Sequence, residues 1–132
     1  MVQVFVYGTL KPGYANYDDY CGDRIRSAQK AQVRGKLFDL PLGYPALTVG
    51  EQWIAGYLLC FADDGCLMRL DKLEDYCPDR PVAENEYQRE RIDVFDLQQR
   101  SLGVAWVYRM TPAKVQQLGG KWVASGEWFG SL

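Results

Sequence analysis

The sequence contains no histidine. Histidine is the commonest general base, so its absence excludes Ser–His and Cys–His nucleophile pairs and most zinc sites. The four cysteines form no C-x-x-C pair, and we expect ordinary thiols with neither a disulfide framework nor a metal site. Any acid–base chemistry must therefore come from a carboxylate, a lysine or a tyrosine.

Further absences concern partners and location. No run rich in Lys and Arg is present, and the formal net charge is -2, so we expect neither nucleic acid nor an anionic membrane surface as a partner. The longest apolar stretches are too short to span a membrane. Met1 leads into a strand pattern without a basic segment or a cleavage site, so we expect no secretory signal and a cytoplasmic location. A monomer is the default expectation.

The apolar residues of the chain are numerous enough to form one hydrophobic core. The chain has 132 residues, of which 48% are hydrophobic, a size and composition typical of one globular domain. We therefore predict a single domain over residues 1–132. The glycine-broken, aromatic tail at residues 119–132 either packs on this domain or is flexible.

Hydrophobic periodicity predicts a mixture of strands and short helices. The predicted strands are Val2–Tyr7, Ala31–Asp39, Ile54–Phe61, Tyr87–Leu97 and Leu102–Met110. The predicted helices are Tyr17–Cys21, Gly65 to about Asp75 with Asp63 as N-cap, and a helix capped by Thr111 that ends near Leu118. The predicted loops are Gly8–Asn16, Pro41–Gly50 and Cys77–Asn85. The mixed order and the glycines inside strands predict an α+β fold, a small bent mixed β-barrel with a few short helices.

One carboxylate of the middle helix, CLMRLDKLEDY, projects toward the core side. The inward stripe of this helix is formed by three leucines, Leu67, Leu70 and Leu73. At 100° per residue, Glu74 falls about 40° from the centre of that stripe. Burial without a partner raises the pKa of a carboxyl group toward neutrality, which suits a general acid/base. The alternative is that Glu74 ends the helix, reaches solvent and pairs with Arg80 or Arg89.

Three motifs in a fixed order carry a family resemblance. The stretch VFVYGTLKPG ends a strand in Tyr-Gly-Thr-Leu at residues 7–10, LDKLE follows at residues 70–74, and YQR follows at residues 87–89. Together with GKLFDL and GYPAL between them, these motifs resemble the γ-glutamylcyclotransferase-like family, which includes γ-glutamylamine cyclotransferases. The resemblance covers roughly residues 2–110.

The resemblance implies a fold and a reaction. It implies a small mixed barrel with a cavity at one end, in which Glu74 is the general acid/base. Members of the family release 5-oxoproline from a small γ-glutamyl compound by attack of its α-amine on its own γ-carbonyl group. They use no metal and no organic cofactor. Because the nucleophile belongs to the substrate, no serine or cysteine triad is needed.

The same resemblance implies the substrate-binding residues. By family analogy, Tyr7, Gly8, Thr9 and Leu10 contact the γ-glutamyl moiety, mainly through the main chain. Gly8 has no Cβ atom, so backbone N–H groups can approach a ligand closely. Tyr87 resembles the family tyrosine that lines the pocket and hydrogen-bonds the substrate carboxylate, and its alternative role is an ordinary strand-edge aromatic.

Other side chains have two interpretations each. Lys11 either attracts a substrate carboxylate or is solvated beside Pro12. Tyr108 lies either in the cavity wall or in the core. The tail aromatics, Trp122, Trp128 and Phe129, either close over the barrel or pack against a sheet face.

Two functions of other classes remain open. The first is a binding module that keeps the pocket without turnover and recognises an amino-acid-like anion. The second is a protein–protein adaptor that uses the aromatic tail. The identity of the leaving amine does not follow from the sequence.

Overall fold

A computed structural model describes residues 2–62 and 65–130 of the chain. Its strands are β1 Val2–Val6, β2 Ile25–Asp39, β3 Pro45–Phe61, β4 Gln88–Phe95, β5 Ser101–Arg109 and β6 Lys121–Trp122. Its α-helices are α1 Tyr17–Tyr20, α2 Cys66–Leu73 and α3 Pro112–Leu118, and short 3₁₀-helices span Gly22–Arg24 and Val82–Glu84. No helix of the described residues is long and apolar enough to cross a bilayer.

The strands form a mixed sheet that closes unevenly on itself. Their order is β3-β1-β5-β4-β2-β6, and β3 also pairs with β2. The long β2–β3 hairpin is extensively paired, whereas β1 meets β5 in parallel at one position, Val4 opposite Trp106. The β2–β4 contact is also a single position, Gln32 opposite Phe95. The predicted α+β class is confirmed. The sheet is not an evenly closed barrel, because the β1–β5 and β2–β4 pairings each comprise a single position.

Strand β1 lies in the middle of the core. Val4 and Val6 pack in one hydrophobic cluster with Leu70 of α2, whereas Phe5 and Tyr7 pack in a second cluster on the opposite face. A strand buried on both faces needs a nearly continuous apolar run, and this is the pattern of VQVFV. The loop that follows β1 therefore begins at the edge of the core.

Two element predictions are wrong in their bounds. Strand β3 begins at Pro45, so the second half of the predicted loop Pro41–Gly50 is strand, and Ala46 and Leu47 are fully buried. The turn formers of that segment act only before Pro45. Strand β2 begins at Ile25, because residues 25–30 pair with β3 through the backbone while their side chains are mostly exposed and show no apolar alternation.

The remaining elements follow the predictions more closely. Thr111 caps α3 by accepting a hydrogen bond from the Lys114 N–H at 3.2 Å, as predicted. The predicted loop Cys77–Asn85 contains the short 3₁₀-helix Val82–Glu84. Asp63, the predicted N-cap of α2, lies outside the described residues.

Candidate active site

A pocket opens where β1 ends, beside the C-terminus of α2 and the start of β4. Its empty space, including the open mouth, is about 360 Å³. It is lined by Phe5, Val6, Tyr7, Gly8, Thr9, Leu10, Pro45, Glu74, Tyr87 and Tyr108. The structure thus brings together all six residues named from the sequence, which are Tyr7, Gly8, Thr9, Leu10, Glu74 and Tyr87.

The end of helix α2 places Glu74. Leu70 is fully buried and fixes the inner face of the helix. Glu74 is the C-cap, and its N–H donates to the Leu70 carbonyl at 2.9 Å. Asp75 then adopts a φ of 53°, a left-handed conformation that ends the helix. Glu74 is thereby held at the pocket wall by the last helical turn.

The carboxyl group of Glu74 is desolvated and unpaired. Desolvation, and after it the negative charge of Glu86, raises the pKa of Glu74 from 4.5 to about 8. Within residues 2–62 and 65–130, the structure gives this carboxyl group no hydrogen bond and no ion pair. A carboxyl group with this pKa can both accept and return a proton near neutral pH.

The arginines proposed as alternative partners of Glu74 bind other carboxylates. Arg80 pairs with Asp75 at 3.0 Å. The Arg89 Nε atom lies 3.2 Å from the Asp71 Oδ1 atom, an ion pair without hydrogen-bond geometry at that nitrogen. The hypothesis that Glu74 pairs with Arg80 or Arg89 is therefore wrong.

The loop after β1 lines the pocket and is held through its carbonyl groups. The Lys11 N–H donates to the Gly8 carbonyl at 3.0 Å, and the Asn16 N–H donates to the Thr9 carbonyl at 2.9 Å. The Asn16 side chain also donates to the Thr9 hydroxyl at 2.8 Å. No hydrogen bond among the described residues uses the N–H groups of Gly8, Thr9 or Leu10. The loop is held by its carbonyls, and consecutive N–H groups remain available to an anion.

Gly8 is also required by packing. A Cβ atom at this position would lie 2.7 Å from the Cδ and Cγ atoms of Pro45, another lining residue. The glycine thus lets the loop lie directly against the start of β3. This contact is a reason for glycine in addition to the close approach of a ligand.

Two of the pocket tyrosines, Tyr7 and Tyr87, donate their hydroxyl protons to the backbone. The Tyr7 hydroxyl donates to the Tyr108 carbonyl at 2.6 Å and accepts from the Leu47 N–H at 3.2 Å. The Tyr87 hydroxyl donates to the Pro45 carbonyl at 2.5 Å. Because the Tyr87 proton is already used, this residue contributes its ring to the pocket wall and does not donate to a substrate carboxylate in this arrangement.

Four lining residues, Phe5, Val6, Pro45 and Tyr108, were not assigned to the pocket from the sequence, or were assigned to it only as one of two alternatives. Tyr108 is buried in the core and also lines the pocket. Both interpretations of this residue, as a core residue and as part of the cavity wall, are therefore correct. Pro45 fell in a predicted loop, whereas Phe5 and Val6 were assigned only to a strand. Tyr108 reaches the pocket because β5 runs parallel to β1 from the Val4–Trp106 pair, a pairing that strand periodicity does not reveal.

The side chain of Lys11 contacts the C-terminal tail. Lys11 is 2% exposed, so its interpretation as a solvated residue is wrong. Its Nζ atom donates to the Trp128 carbonyl at 2.5 Å and lies 4.4 Å from the centroid of the Tyr14 ring. The Trp128 indole is buried and donates to Asp39 at 2.8 Å, whereas the Phe129 side chain is exposed. The tail is thus fixed against the body through Trp128.

The fold and the pocket define a class of protein, a small mixed-sheet domain with a desolvated carboxyl group in a pocket at the end of its first strand. The sequence profile of the family described as gamma-glutamyl cyclotransferase, AIG2-like, matches residues 4–130. The chain belongs to this family, which confirms the resemblance drawn from the three motifs.

Individual relatives agree with this assignment. A Vibrio cholerae protein whose name gives it as a candidate gamma-glutamylcyclotransferase is 33% identical over 105 residues, which cover 80% of this chain and 78% of that protein. The gamma-L-glutamyl-butirosin B gamma-glutamyl cyclotransferase of Niallia circulans is 37% identical over 76 residues, which cover 58% of this chain. The matched segment spans 47% of the Niallia protein, less than half its length.

A solved structure shares the fold. An AIG2-like protein of Mus musculus superposes with a TM-score of 0.60 at 26% sequence identity, covering 83% of this chain and 77% of the mouse chain.

Proposed function

We propose that this protein is a cyclotransferase that releases 5-oxoproline and an amine from a small γ-glutamyl compound. The observation that carries this proposal is Glu74, a carboxyl group with a pKa of about 8 and no partner among the described residues, in a pocket lined by a loop whose N–H groups are unused there. Membership of the γ-glutamyl cyclotransferase family supports the same reaction class. One relative is itself named for cyclotransferase action on a γ-glutamyl compound.

The proposed chemistry moves protons from one nitrogen of the substrate to the other. The Glu74 carboxylate accepts a proton from the substrate α-ammonium group, and the free α-amine then attacks the γ-carbonyl carbon. A carbon–nitrogen bond forms to close the five-membered ring, and the γ-amide carbon–nitrogen bond breaks. Glu74 returns its proton to the departing nitrogen, and a second proton passes from the ring nitrogen to the released amine, which becomes an ammonium ion. Substrate and products carry the same protons and charge, so no water, oxidant or reductant is consumed.

The loop after β1 supplies binding and charge stabilisation in this scheme. The N–H groups of Gly8, Thr9 and Leu10 would donate to the α-carboxylate of the substrate or to the γ-carbonyl oxygen as negative charge develops there. Donors that are already oriented stabilise such charge without reorganisation. Holding the α-amine close to the γ-carbonyl carbon removes much of the entropic barrier to ring closure.

The aromatic wall excludes water from Glu74 and adds no charge of its own. Burial raises the pKa of the Tyr7 and Tyr87 hydroxyl groups well above the ordinary value, so both stay protonated. Their rings exclude water beside Glu74, which maintains its raised pKa. We propose that no metal or organic cofactor takes part, because the nucleophile and the leaving group both belong to the substrate and only protons are transferred.

The test is a product assay with the full chain. Purified protein is incubated with γ-glutamyl dipeptides and γ-glutamyl amides, and 5-oxoproline and the free amine are both quantified, with and without a chelator. We expect the two products in a one-to-one ratio, unaffected by the chelator. Binding of glutamate or 5-oxoproline by calorimetry without any product would instead indicate the non-catalytic binding module and overturn the proposal.

A further inference from the structure

Glu86 lies beside the pocket, although neither the motifs nor the pocket lining include it. We propose that Glu86 makes the enzyme selective for γ-glutamyl compounds whose amine portion carries a second positive charge. This inference rests on the proposed function, because it concerns the amine that the same site would release.

Backbone contacts fix the position of Glu86 next to the catalytic candidate. Its N–H donates to the Asp75 carbonyl at 3.1 Å, and Asp75 directly follows Glu74. Glu86 also directly precedes Tyr87, which lines the pocket. Glu86 is partly exposed, so it lies on the solvent side of both lining residues, at the rim.

A phenol orients the Glu86 carboxylate. The Tyr44 hydroxyl donates to the Glu86 Oε1 atom at 2.5 Å. The Tyr44 ring packs against the Tyr87 ring with centroids 6.4 Å apart, which ties the pair to the pocket wall. In the part of the chain that the structure describes, the Glu86 Oε2 atom accepts no hydrogen bond. One oxygen is thus held and the other remains available to a ligand.

Glu86 differs from Asp71 and Asp75 in that no cation among the described residues neutralises it. Asp75 pairs with Arg80 at 3.0 Å, and Asp71 pairs with Arg89 at 3.2 Å. Over residues 2–62 and 65–130, no lysine or arginine lies within ion-pair distance of Glu86. The rim of the pocket therefore carries an unbalanced negative charge.

Within residues 2–62 and 65–130, the other groups that interact with Glu74 do not supply a compensating positive charge. They are the phenols of Tyr7, Tyr44, Tyr87 and Tyr108, drawn from β5, from the start of β4 and from the loops after β1 and before β3. An ammonium group on the ligand would thus be the partner that Glu86 lacks, whereas a carboxylate there would be repelled.

The location of Glu86 indicates which end of the substrate it meets. Gly8, Thr9, Leu10 and Glu74 line the pocket, where the γ-glutamyl end would bind. Glu86 is partly exposed and lies outside the lining, where the amine portion of a bound substrate would extend toward solvent. A second ammonium group on that portion would pass or rest beside the unused carboxylate oxygen.

Three amides of matched length test the inference. They are the γ-glutamyl monoamides of 1,4-diaminobutane, n-pentylamine and 5-aminopentanoic acid, whose far ends are an ammonium, a methyl and a carboxylate group. For the wild-type protein at low salt, we expect kcat/KM to favour the ammonium amide over the methyl amide by about tenfold, the effect of one charge-assisted hydrogen bond. The carboxylate amide should be the poorest substrate.

Variants of Glu86 and its neighbours test whether Glu86 causes the preference for the ammonium amide. In Glu86→Gln the ratio of kcat/KM between the ammonium and methyl amides should fall to about one, and Tyr44→Phe should lower it in part because the carboxylate loses its orientation. Glu84→Gln is the matched control, since Glu84 is an exposed carboxylate on the adjacent 3₁₀-helix, and it should leave the ratio unchanged. In the wild-type protein, the ratio should also fall as salt is raised from 0.01 to 1 M, roughly the range over which the Debye length shrinks from about 30 to 3 Å.

The outcomes separate this inference from the proposed function. If the wild-type protein turns over all three amides with equal kcat/KM, the inference fails while the function stands. Equal losses for all three amides in Glu86→Gln would place Glu86 on the shared α-ammonium group and would also overturn it. If no amide yields 5-oxoproline, the proposed function is wrong and the inference falls with it.

Discussion

At the scale of single residues, Glu74 lowers the stability of the fold when it is ionised. Its pKa is raised from 4.5 to about 8, so between these pH values the folded chain binds more protons than the unfolded chain. The free energy of unfolding contributed by this group is therefore highest below pH 4.5 and declines as the pH rises toward 8. A functional carboxyl group that destabilises its own fold is common in active sites.

Replacing this group should therefore stabilise the protein. We expect Glu74→Gln to raise the free energy of unfolding at pH 8 by roughly 1 to 3 kcal/mol, because the amide cannot ionise. Urea denaturation of both proteins at pH 5 and pH 8 measures the difference, which should be larger at pH 8. Glu84→Gln, at an exposed site, should show no such dependence. A Glu74→Gln protein that is less stable than the wild type at pH 8 would contradict the assignment of an unpaired, desolvated carboxyl group.

The pKa of Glu74 should also be visible in the pH dependence of catalysis. Since the carboxylate form accepts the proton, kcat/KM for a γ-glutamyl amide should rise with pH, reach half of its maximum near pH 8 and level off above it. In Glu86→Gln the midpoint should move to lower pH, because one of the two causes of the raised pKa is removed. A rate that levels off near pH 4.5 in the wild-type protein would contradict a perturbed Glu74.

Periodicity predicted that Glu74 projects toward the core side of its helix, but it did not predict the surroundings of this residue. Glu74 could be found because a helix of leucines fixes the direction of the next residue. Glu86 could not, since its place depends on the backbone contact with Asp75 and on the Tyr44 hydroxyl. Neither contact follows from a local pattern.

At the scale of elements, helix α2 is anchored to strand β5 near the catalytic candidate. The Tyr108 hydroxyl donates to the Asp71 Oδ1 atom at 2.7 Å, and the backbone carbonyl of Tyr108 accepts from Tyr7. Tyr108 therefore connects α2, β5 and the end of β1. This connection holds the turn of α2 that carries Glu74.

Removing the Tyr108 hydroxyl should loosen that anchor. We expect Tyr108→Phe to lower the free energy of unfolding by about 1 to 2 kcal/mol, since Asp71 loses a charge-assisted hydrogen bond. The value of kcat should fall more than KM changes, because the carboxyl group is displaced while the binding loop is intact. Tyr57→Phe is a suitable control, as the described structure gives the Tyr57 hydroxyl no hydrogen bond. Unchanged kcat and stability in Tyr108→Phe would rule out the anchoring role.

The C-terminal tail contacts the end of the pocket loop through a hydrogen bond. Trp128 is buried and its carbonyl accepts from Lys11, the residue after the loop Tyr7–Leu10. We expect Trp128→Ala to lower the free energy of unfolding by about 3 to 5 kcal/mol, as for other buried aromatics. Phe129→Ala, at a side chain that is 70% exposed, should change it by less than about 0.5 kcal/mol. Thermal unfolding of the two variants compares them, and equal effects would show that the tail does not pack through Trp128.

At the scale of the whole molecule, the uneven closure of the sheet assembles the pocket. The short β1–β5 seam and the long β2–β3 hairpin bring the loop at residues 7–10, the end of α2 and the start of β4 to one place. The sequence predicts the α+β class and most of the strands. It does not predict the parallel β1–β5 pairing or the early start of β3, because both depend on partners distant in the chain. The division into one domain over residues 1–132 and the cytoplasmic location stay predictions.

The central claim is that Glu74 transfers the protons that release 5-oxoproline. Its most direct test is kcat for 5-oxoproline formation from one γ-glutamyl amide by the wild-type protein and by Glu74→Gln, with calorimetric binding of 5-oxoproline by both proteins as the control for an intact pocket. The account predicts that kcat falls by roughly 100- to 10,000-fold while 5-oxoproline still binds. A Glu74→Gln protein that keeps the full turnover of the wild type would contradict it.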